Sequence, residues 1–72
     1  MKIEKEIKEA IQSEVNTQGR LAFSRGCKVT YTTIKLALEN GYCGEAVYNK
    51  MVNYTLQSIK NRKQIIKALK HD

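Results

Sequence analysis

The stretch from Thr17 to Gly41, TQGRLAFSRGCKVTYTTIKLALENG, decides the fold that this sequence predicts. Its pattern indicates a short helix from about Gln18 to Arg25, then a tight turn and a second helix. Gly26 follows the first helix directly, where a residue in the left-handed region commonly ends a helix. Thr30 is placed to cap the start of the second helix, and Gly41 is placed to end it. The stretch therefore predicts two adjacent helices with little chain between them.

The apolar residues of these two helices predict which sides face the core. The first helix is expected to bury Leu21 and Ala22, with the burial of Phe23 left open. The second is expected to bury three residues at helical spacing, namely Ile34, Ala37 and Leu38. Its polar residues then lie on the outer side.

Helical patterns also flank this central pair. Isoleucines four residues apart predict a helix from about Lys2 to Glu14. Met and aromatic residues at helical spacing predict another from about Glu45 to Ile59, and such a stripe is typical of a core face. Asn61 with a glutamine three residues later either starts a fifth helix or lies inside a longer fourth one. The predicted fold class is all-α, a compact four- to five-helix bundle in a single domain over 1–72.

The chain is basic, with 72 residues and a formal net charge of +6 at pH 7. Residues 1–14 carry four acids against three bases, so the excess positive charge lies further along. The segment 15–41 has a net charge of +3 (four bases, one acid) and 42–72 has +4 (six bases, two acids). A phosphate backbone attracts such a distribution. We interpret the central charges as part of a binding surface, whereas the C-terminal cluster is either a binding feature or a solvated face.

Several classes of function are excluded by composition. No apolar run is long enough to span a membrane, and the charged N-terminus has no signal-peptide core, so we expect a cytoplasmic protein with no membrane partner. The sequence has no carboxylate pair in an apolar setting and no nucleophile–histidine constellation. It therefore predicts no enzyme, small-molecule substrate or cofactor. Cys27, Cys43 and His71 fall short of the about four ligands that zinc needs, so both cysteines are expected to be small apolar side chains.

The central pair suits a helix-turn-helix, whose second helix enters the major groove of DNA while the first crosses the backbone. Threonine can bond a base edge, and lysine can reach guanine or a phosphate. Lys28 in the turn and Gln18 at a helix start are predicted phosphate contacts. Tyr31 either packs in the core or reaches a phosphate, and the threonines are alternatively a plain helix start. The predicted DNA- or partner-binding residues are Gln18, Lys28, Thr30, Tyr31, Thr32, Thr33 and Lys35.

At these residues the chain resembles the lambda-repressor/Cro-like helix-turn-helix family. Gln18, Ala22 and Gly26 match the family's Q-x-x-x-A-x-x-x-G spacing. Ile34 and the run 38–41 resemble its I-x-x-L-E-N-G ending, with one extra residue between them. The matched part covers about a third of the chain. The stretch after the glycine is about two residues longer than the family norm and starts with Cys rather than Val, which leaves open which side chains would reach bases.

Size, layout and motif together resemble the small early regulators of temperate phages, in particular the antirepressor family called modulator of repression. That resemblance implies a protein that binds a phage repressor's DNA-binding domain and relieves or reshapes repression. The implied partners are double-stranded DNA, a phage repressor protein or both, with a homodimer as a further option. The alternatives are a Cro-like sequence-specific repressor acting alone, and a non-specific nucleic-acid binder that uses the C-terminal lysines.

Overall fold

The computed structural model describes residues 1–70 of the chain, and these form four α-helices with no strand among them. The helices are α1 (Lys5–Gln18), α2 (Arg20–Cys27), α3 (Tyr31–Asn40) and α4 (Glu45–Lys70). The predicted all-α fold is confirmed. The region beyond 59 continues the preceding helix, since α4 runs unbroken for 26 residues.

The boundary between the first two helices differs from the prediction. We expected α1 to end near Glu14 and a new helix to begin at Gln18, but α1 continues to Gln18. The inward side of α1 continues through Glu14, Val15 and Gln18. Two of these residues are polar, so the apolar pattern in the sequence stops before the helix does. The chain changes direction at Gly19, which has a φ of 91° that other residues rarely adopt.

The inward side of α2 is also different from the prediction. Phe23 is fully buried and Cys27 lies one turn further along the same side, whereas Leu21 is 64% exposed and Ala22 is exposed. Leu21 and Ala22 therefore lie on the outer side of α2. The expectation that they face the core was wrong, and Phe23 and Cys27 provide the core contacts of α2.

Tyr54 of α4 packs directly against Gly26 of α2. A Cβ atom at position 26 would lie less than 3.0 Å from the Tyr54 ring, a separation that real Cβ atoms essentially never show. The same ring meets Phe23 edge to face, with 5.3 Å between ring centroids. Gly26 is therefore a close-approach position inside α2. It does not end the helix in the left-handed region, as we had expected; Lys28 does so instead.

Three residues connect α2 to α3, and the turn is held by its own polar groups. The Val29 N–H donates to the Ser24 carbonyl at 3.2 Å, and the Ser24 hydroxyl donates to the Val29 carbonyl at 2.6 Å. Val29 itself is buried. This reciprocal pair fixes the direction in which α3 leaves the turn.

Both predicted limits of α3 are confirmed. Thr30 precedes the first turn in extended conformation, and Gly41 ends the helix with a φ of 67°. Ile34, Ala37 and Leu38 are buried, as their spacing predicts. The start of the chain is paired with the segment after α3, because the Ile3 N–H donates to the Gly41 carbonyl at 2.8 Å and the Cys43 N–H donates to the Met1 carbonyl at 2.9 Å. This pairing anchors the C-terminal end of α3.

The first half of α4 completes the core, and the second half extends beyond it. Met51 and Thr55 are buried. In contrast, every described residue from 61 to 70 is exposed. The longest dimension of the described chain is 44 Å, against 22 and 18 Å for the other two. A helix of 26 residues is about 39 Å long at about 1.5 Å per residue, so α4 accounts for this elongation.

Candidate functional site

The outward side of α3 forms one continuous exposed face. Thr32, Lys35, Leu36 and Glu39 recur at intervals of one, three and four residues and are all exposed. Tyr42, just after the helix, is 64% exposed. These five residues are called the α3 surface below. It combines two apolar side chains with a hydroxyl, one positive and one negative charge.

A shallow recess lies beside the apolar part of the α3 surface. Leu36 and Tyr42 both line it, together with Thr33, Ala37, Asn40, Cys43, Gly44 and Val47. Leu36 is 52% exposed although it lies in the middle of a helix. Large apolar side chains grouped around a concave feature are typical of a surface that binds another molecule.

Leu36 and Tyr42 were not among the residues predicted from sequence. A signal for Leu36 was present, since it is out of phase with the Ile34, Ala37 and Leu38 stripe that the helix buries. Tyr42 follows a glycine outside the helix. Periodicity does not predict the exposure of a residue at such a position.

The four consecutive residues from Thr30 to Thr33 do not all face outward. The hydroxyls of Thr30 and Thr33 lie 2.9 Å apart and hydrogen-bond to each other. Thr33 is half-buried and lines the recess, whereas Thr32 is fully on the outer face. The Thr30 side chain makes no capping hydrogen bond to the backbone. Of the three threonines, Thr32 is the most available to a partner.

Tyr31 packs inward. Its ring is half-buried against the core, and the guanidinium carbon of Arg20 lies 5.4 Å from the ring centroid. This cation–π contact joins the start of α2 to the start of α3. Of the two roles that the sequence left open for Tyr31, the structure shows packing in the core.

Lys28 combines exposure with an unusual backbone. It is the one non-glycine residue with positive φ among residues 1–70, with φ 61° and ψ 37°. Its backbone N–H donates to the Ser24 carbonyl, which ends α2. A lysine in this region costs about 1 kcal/mol relative to glycine. The side chain is exposed at the turn just before α3, and its role as a phosphate or partner contact stays a prediction.

Gln18 was predicted at the start of the second helix, but it is the last residue of α1. Its side-chain amide forms hydrogen bonds within the protein. The Gln18 amide nitrogen donates to a Glu14 carboxylate oxygen at 2.9 Å and to the Ser58 hydroxyl at 2.8 Å. Its amide oxygen accepts from the Tyr54 hydroxyl at 2.6 Å. These contacts tie α1 to α4, so Gln18 is a structural residue in this fold.

Glu14 is the centre of this polar cluster. The residue is 1% exposed, and it accepts from the Ser58 hydroxyl at 3.2 Å in addition to the Gln18 amide. The Arg62 guanidinium forms an ion pair with its other oxygen. The carboxylate is thus buried with a charged partner and two neutral donors, as a buried charge requires. Beyond this cluster every described residue of α4 is exposed.

Both cysteines are free thiols, with Cys27 buried and Cys43 half-buried. Burial raises the pKa of the Cys27 thiol, and a hydrogen bond from the Val29 backbone opposes this in part. Burial also raises the pKa of Cys43, against the attraction of the N-terminal ammonium group. Raised pKa values make both thiols poor nucleophiles at neutral pH. Within residues 1–70, no three potential metal ligands lie close enough together to hold an ion.

No family model, curated protein or solved structure matches this chain. None of the helices described between residues 1 and 70 combines the length and apolar character needed to cross a membrane.

Proposed function

We propose that this protein is a small transcription regulator of the helix-turn-helix type that acts as an antirepressor. In this proposal α2 and α3 form the helix-turn-helix, and the α3 surface binds the DNA-binding domain of a phage-type repressor. The observation that supports it most strongly is the exposed pair Leu36 and Tyr42 beside a recess, next to Lys35 and Glu39.

The composition of the α3 surface favours a protein partner. Lys35 and Glu39 cancel each other, so the exposed face of α3 has no net charge. A helix that enters the major groove approaches phosphates on both sides, and an exposed glutamate there is repelled. An exposed tyrosine is, by contrast, typical of the centre of a protein interface, and an exposed leucine near it adds apolar area that a partner can cover. Mixed charges around that centre give orientation to a protein complex.

Operator DNA is the second candidate, and Lys28 is the observation that favours it. A basic side chain held at positive φ, immediately before α3, is suitably placed for a phosphate. Thr32 and Lys35 are exposed in the first half of α3, where base contacts are expected in a helix-turn-helix. A single surface can serve both partners in turn.

Calorimetric titration of this protein with the isolated DNA-binding domain of its cognate repressor tests the proposal. Leu36→Asp should weaken binding at least about tenfold, since it places a charge in the centre of the apolar contact. The matched control is Leu56→Asp, which changes a leucine of similar exposure on α4. It should leave the affinity within about twofold of the original.

Fluorescence anisotropy with a labelled duplex from the upstream region of the gene separates the two candidates. A scrambled duplex of the same length serves as the control. Specific DNA binding that Lys35→Ala and Thr32→Ala weaken, with no heat on mixing with the repressor domain, would replace the antirepressor proposal with the DNA-binding one. Lys28→Gly relieves the backbone strain, so it should raise stability while weakening any phosphate contact.

A further inference from the structure

The side of α4 that packs on α1 continues as an uncovered apolar stripe. Ser58 and Arg62 both bind Glu14, which shows that this side of α4 faces the folded body. Ile65, Ile66 and Leu69 follow Arg62 by three, four and seven residues, so they lie on the same side of the helix. They are 59%, 52% and 69% exposed. These three residues are called the α4 stripe below.

The charge around the α4 stripe has one sign. Glu45 is the last acid before the end of α4, and 46–70 contains six lysine or arginine residues with no acid. Arg62 is paired with Glu14. Lys63, Lys67 and Lys70 share one flank of the stripe, each within four residues of the next along the helix. A molecule that binds the α4 stripe should therefore have an apolar side with acidic groups next to it.

The shape of the site favours a narrow occupant over a flat one. Because the stripe continues the side of α4 that faces α1, the folded body stands on the same side of the helix as the stripe. A planar bilayer would meet the body before it reached Ile65. A single helix is about 10–12 Å in diameter with its side chains and is therefore narrow compared with a bilayer surface. Duplex DNA would engage the lysine flank through its phosphates but would leave the three apolar side chains of the stripe uncovered.

A second copy of this chain is also a poor occupant. Pairing two α4 stripes would bring the lysines at 63, 67 and 70 of both copies together without any acid on either segment, and like charges in contact oppose association. The acidic residues Glu6 and Glu9 lie on α1, whose own apolar side is already packed, since Ile11 and Val15 are buried.

We infer that the α4 stripe is a docking site for an acidic amphipathic helix of another protein, separate from the α3 surface. The apolar side of that helix covers Ile65, Ile66 and Leu69. Its carboxylates pair with Lys63, Lys67 and Lys70. This docking site is a second candidate binding surface, formed by residues of α4 rather than of α3.

The test uses a synthetic helical peptide of about 20 residues with leucines at helical spacing and glutamates on the flanks. Three probes serve as comparisons: the same peptide with lysine in place of glutamate, vesicles rich in phosphatidylglycerol, and a scrambled DNA duplex. Binding is measured by fluorescence anisotropy or co-sedimentation with the full chain. The acidic peptide should bind at least about tenfold more tightly than the lysine peptide, and its affinity should fall with salt.

Two sets of variants locate the contact. Ile66→Gln with Leu69→Gln should weaken peptide binding at least about tenfold with an unchanged Tm, since both side chains are exposed. Lys63→Gln with Lys67→Gln should weaken it and reduce its salt dependence. Ala68→Gln alters the opposite side of α4 and should have little effect.

Other outcomes overturn the inference. Equal binding of the acidic and lysine peptides, or of the stripe variant and the original protein, would show that the stripe does not select an acidic helix. Tighter binding to vesicles or to the scrambled duplex would assign the surface to lipid or nucleic acid. A concentration-dependent dimer that Ile66→Gln with Leu69→Gln dissociates would assign it to self-association. A large loss of Tm in that variant would assign the stripe to the core.

Discussion

Substitution of Gly26 by alanine tests the packing of α2 against α4. The added methyl group would overlap the ring of Tyr54, which must then leave its place. The displaced ring loses its hydrogen bond to Gln18 and its edge contact with Phe23. Arg25→Ala, at an exposed neighbouring position of α2, is the control.

The magnitude of the Gly26→Ala effect follows from these contacts. The hydrogen bond and the aromatic contact contribute about 0.5–1.5 kcal/mol each. Partial exposure of the ring adds about 1 kcal/mol at about 25 cal/mol per Å². Alanine is more favourable than glycine inside a helix, which offsets about 0.5–1 kcal/mol of this loss of stability. The net loss of unfolding free energy is therefore about 1–3 kcal/mol, which for a domain of this size lowers Tm by about 4–8 °C per kcal/mol.

Urea unfolding of four proteins measures this effect: the original, Gly26→Ala, Tyr54→Ala and the double variant. In the Tyr54→Ala background the Gly26→Ala change should cost nothing or stabilise slightly, because the obstructing ring is gone. The reasoning is refuted if Gly26→Ala is neutral in the original chain. It is also refuted if the change costs the same in both backgrounds.

Three further predictions concern the core and the thiols. Phe23→Ala should lower the unfolding free energy by about 3–5 kcal/mol and Leu21→Ala by less than about 0.5, since only Phe23 is buried; equal losses in chemical denaturation would contradict the observed side of α2. Arg62→Ala should cost about 2–4 kcal/mol, and Glu14→Gln less, because loss of Arg62 leaves the buried carboxylate without a charged partner, whereas the half-exposed Arg62 can return to water when Glu14 is neutralised; the reverse order in denaturant titrations would be inconsistent with this. The raised pKa of Cys27 stabilises the fold below the pKa of the unfolded thiol, about 8.5, and this contribution is lost as pH rises through the higher folded pKa. Unfolding free energies at about pH 7 and about pH 10 should therefore differ more in the original than in Cys27→Ala, and an identical difference in both would exclude the effect.

The limits of α3 could be predicted from local sequence, whereas those of α1 could not. Gly41 acts through its own backbone preference, and threonine is a common residue before a helix, so these residues carry the information locally even though the Thr30 side chain makes no capping hydrogen bond. The inner side of α1 contains Glu14 and Gln18, which are polar because they bind Ser58, Tyr54 and Arg62 far along the chain. A hydrophobic pattern cannot reveal an inward polar residue whose partners are distant in sequence.

The sequence predicts where the candidate surface lies better than it predicts which side chains form it. Lys28, Thr32 and Lys35 are exposed where the sequence placed them. Thr33 and Tyr31 turn partly inward because the start of α3 packs against the core and against Arg20. Leu36 and Tyr42 were missed because apolar residues are usually assigned to the core. Their exposure depends on how α3 lies against the other helices.

The end of α4 has a thermodynamic consequence for any molecule that binds it. Beyond Arg62 the described helix is held by its own backbone hydrogen bonds, and short helical segments without tertiary support are marginal in water. Its amides should accordingly exchange with solvent faster than those around Met51. Part of the binding free energy of a partner is then used to order this segment. Asn61→Ala, which raises helix propensity, should thus tighten binding without adding an intermolecular contact.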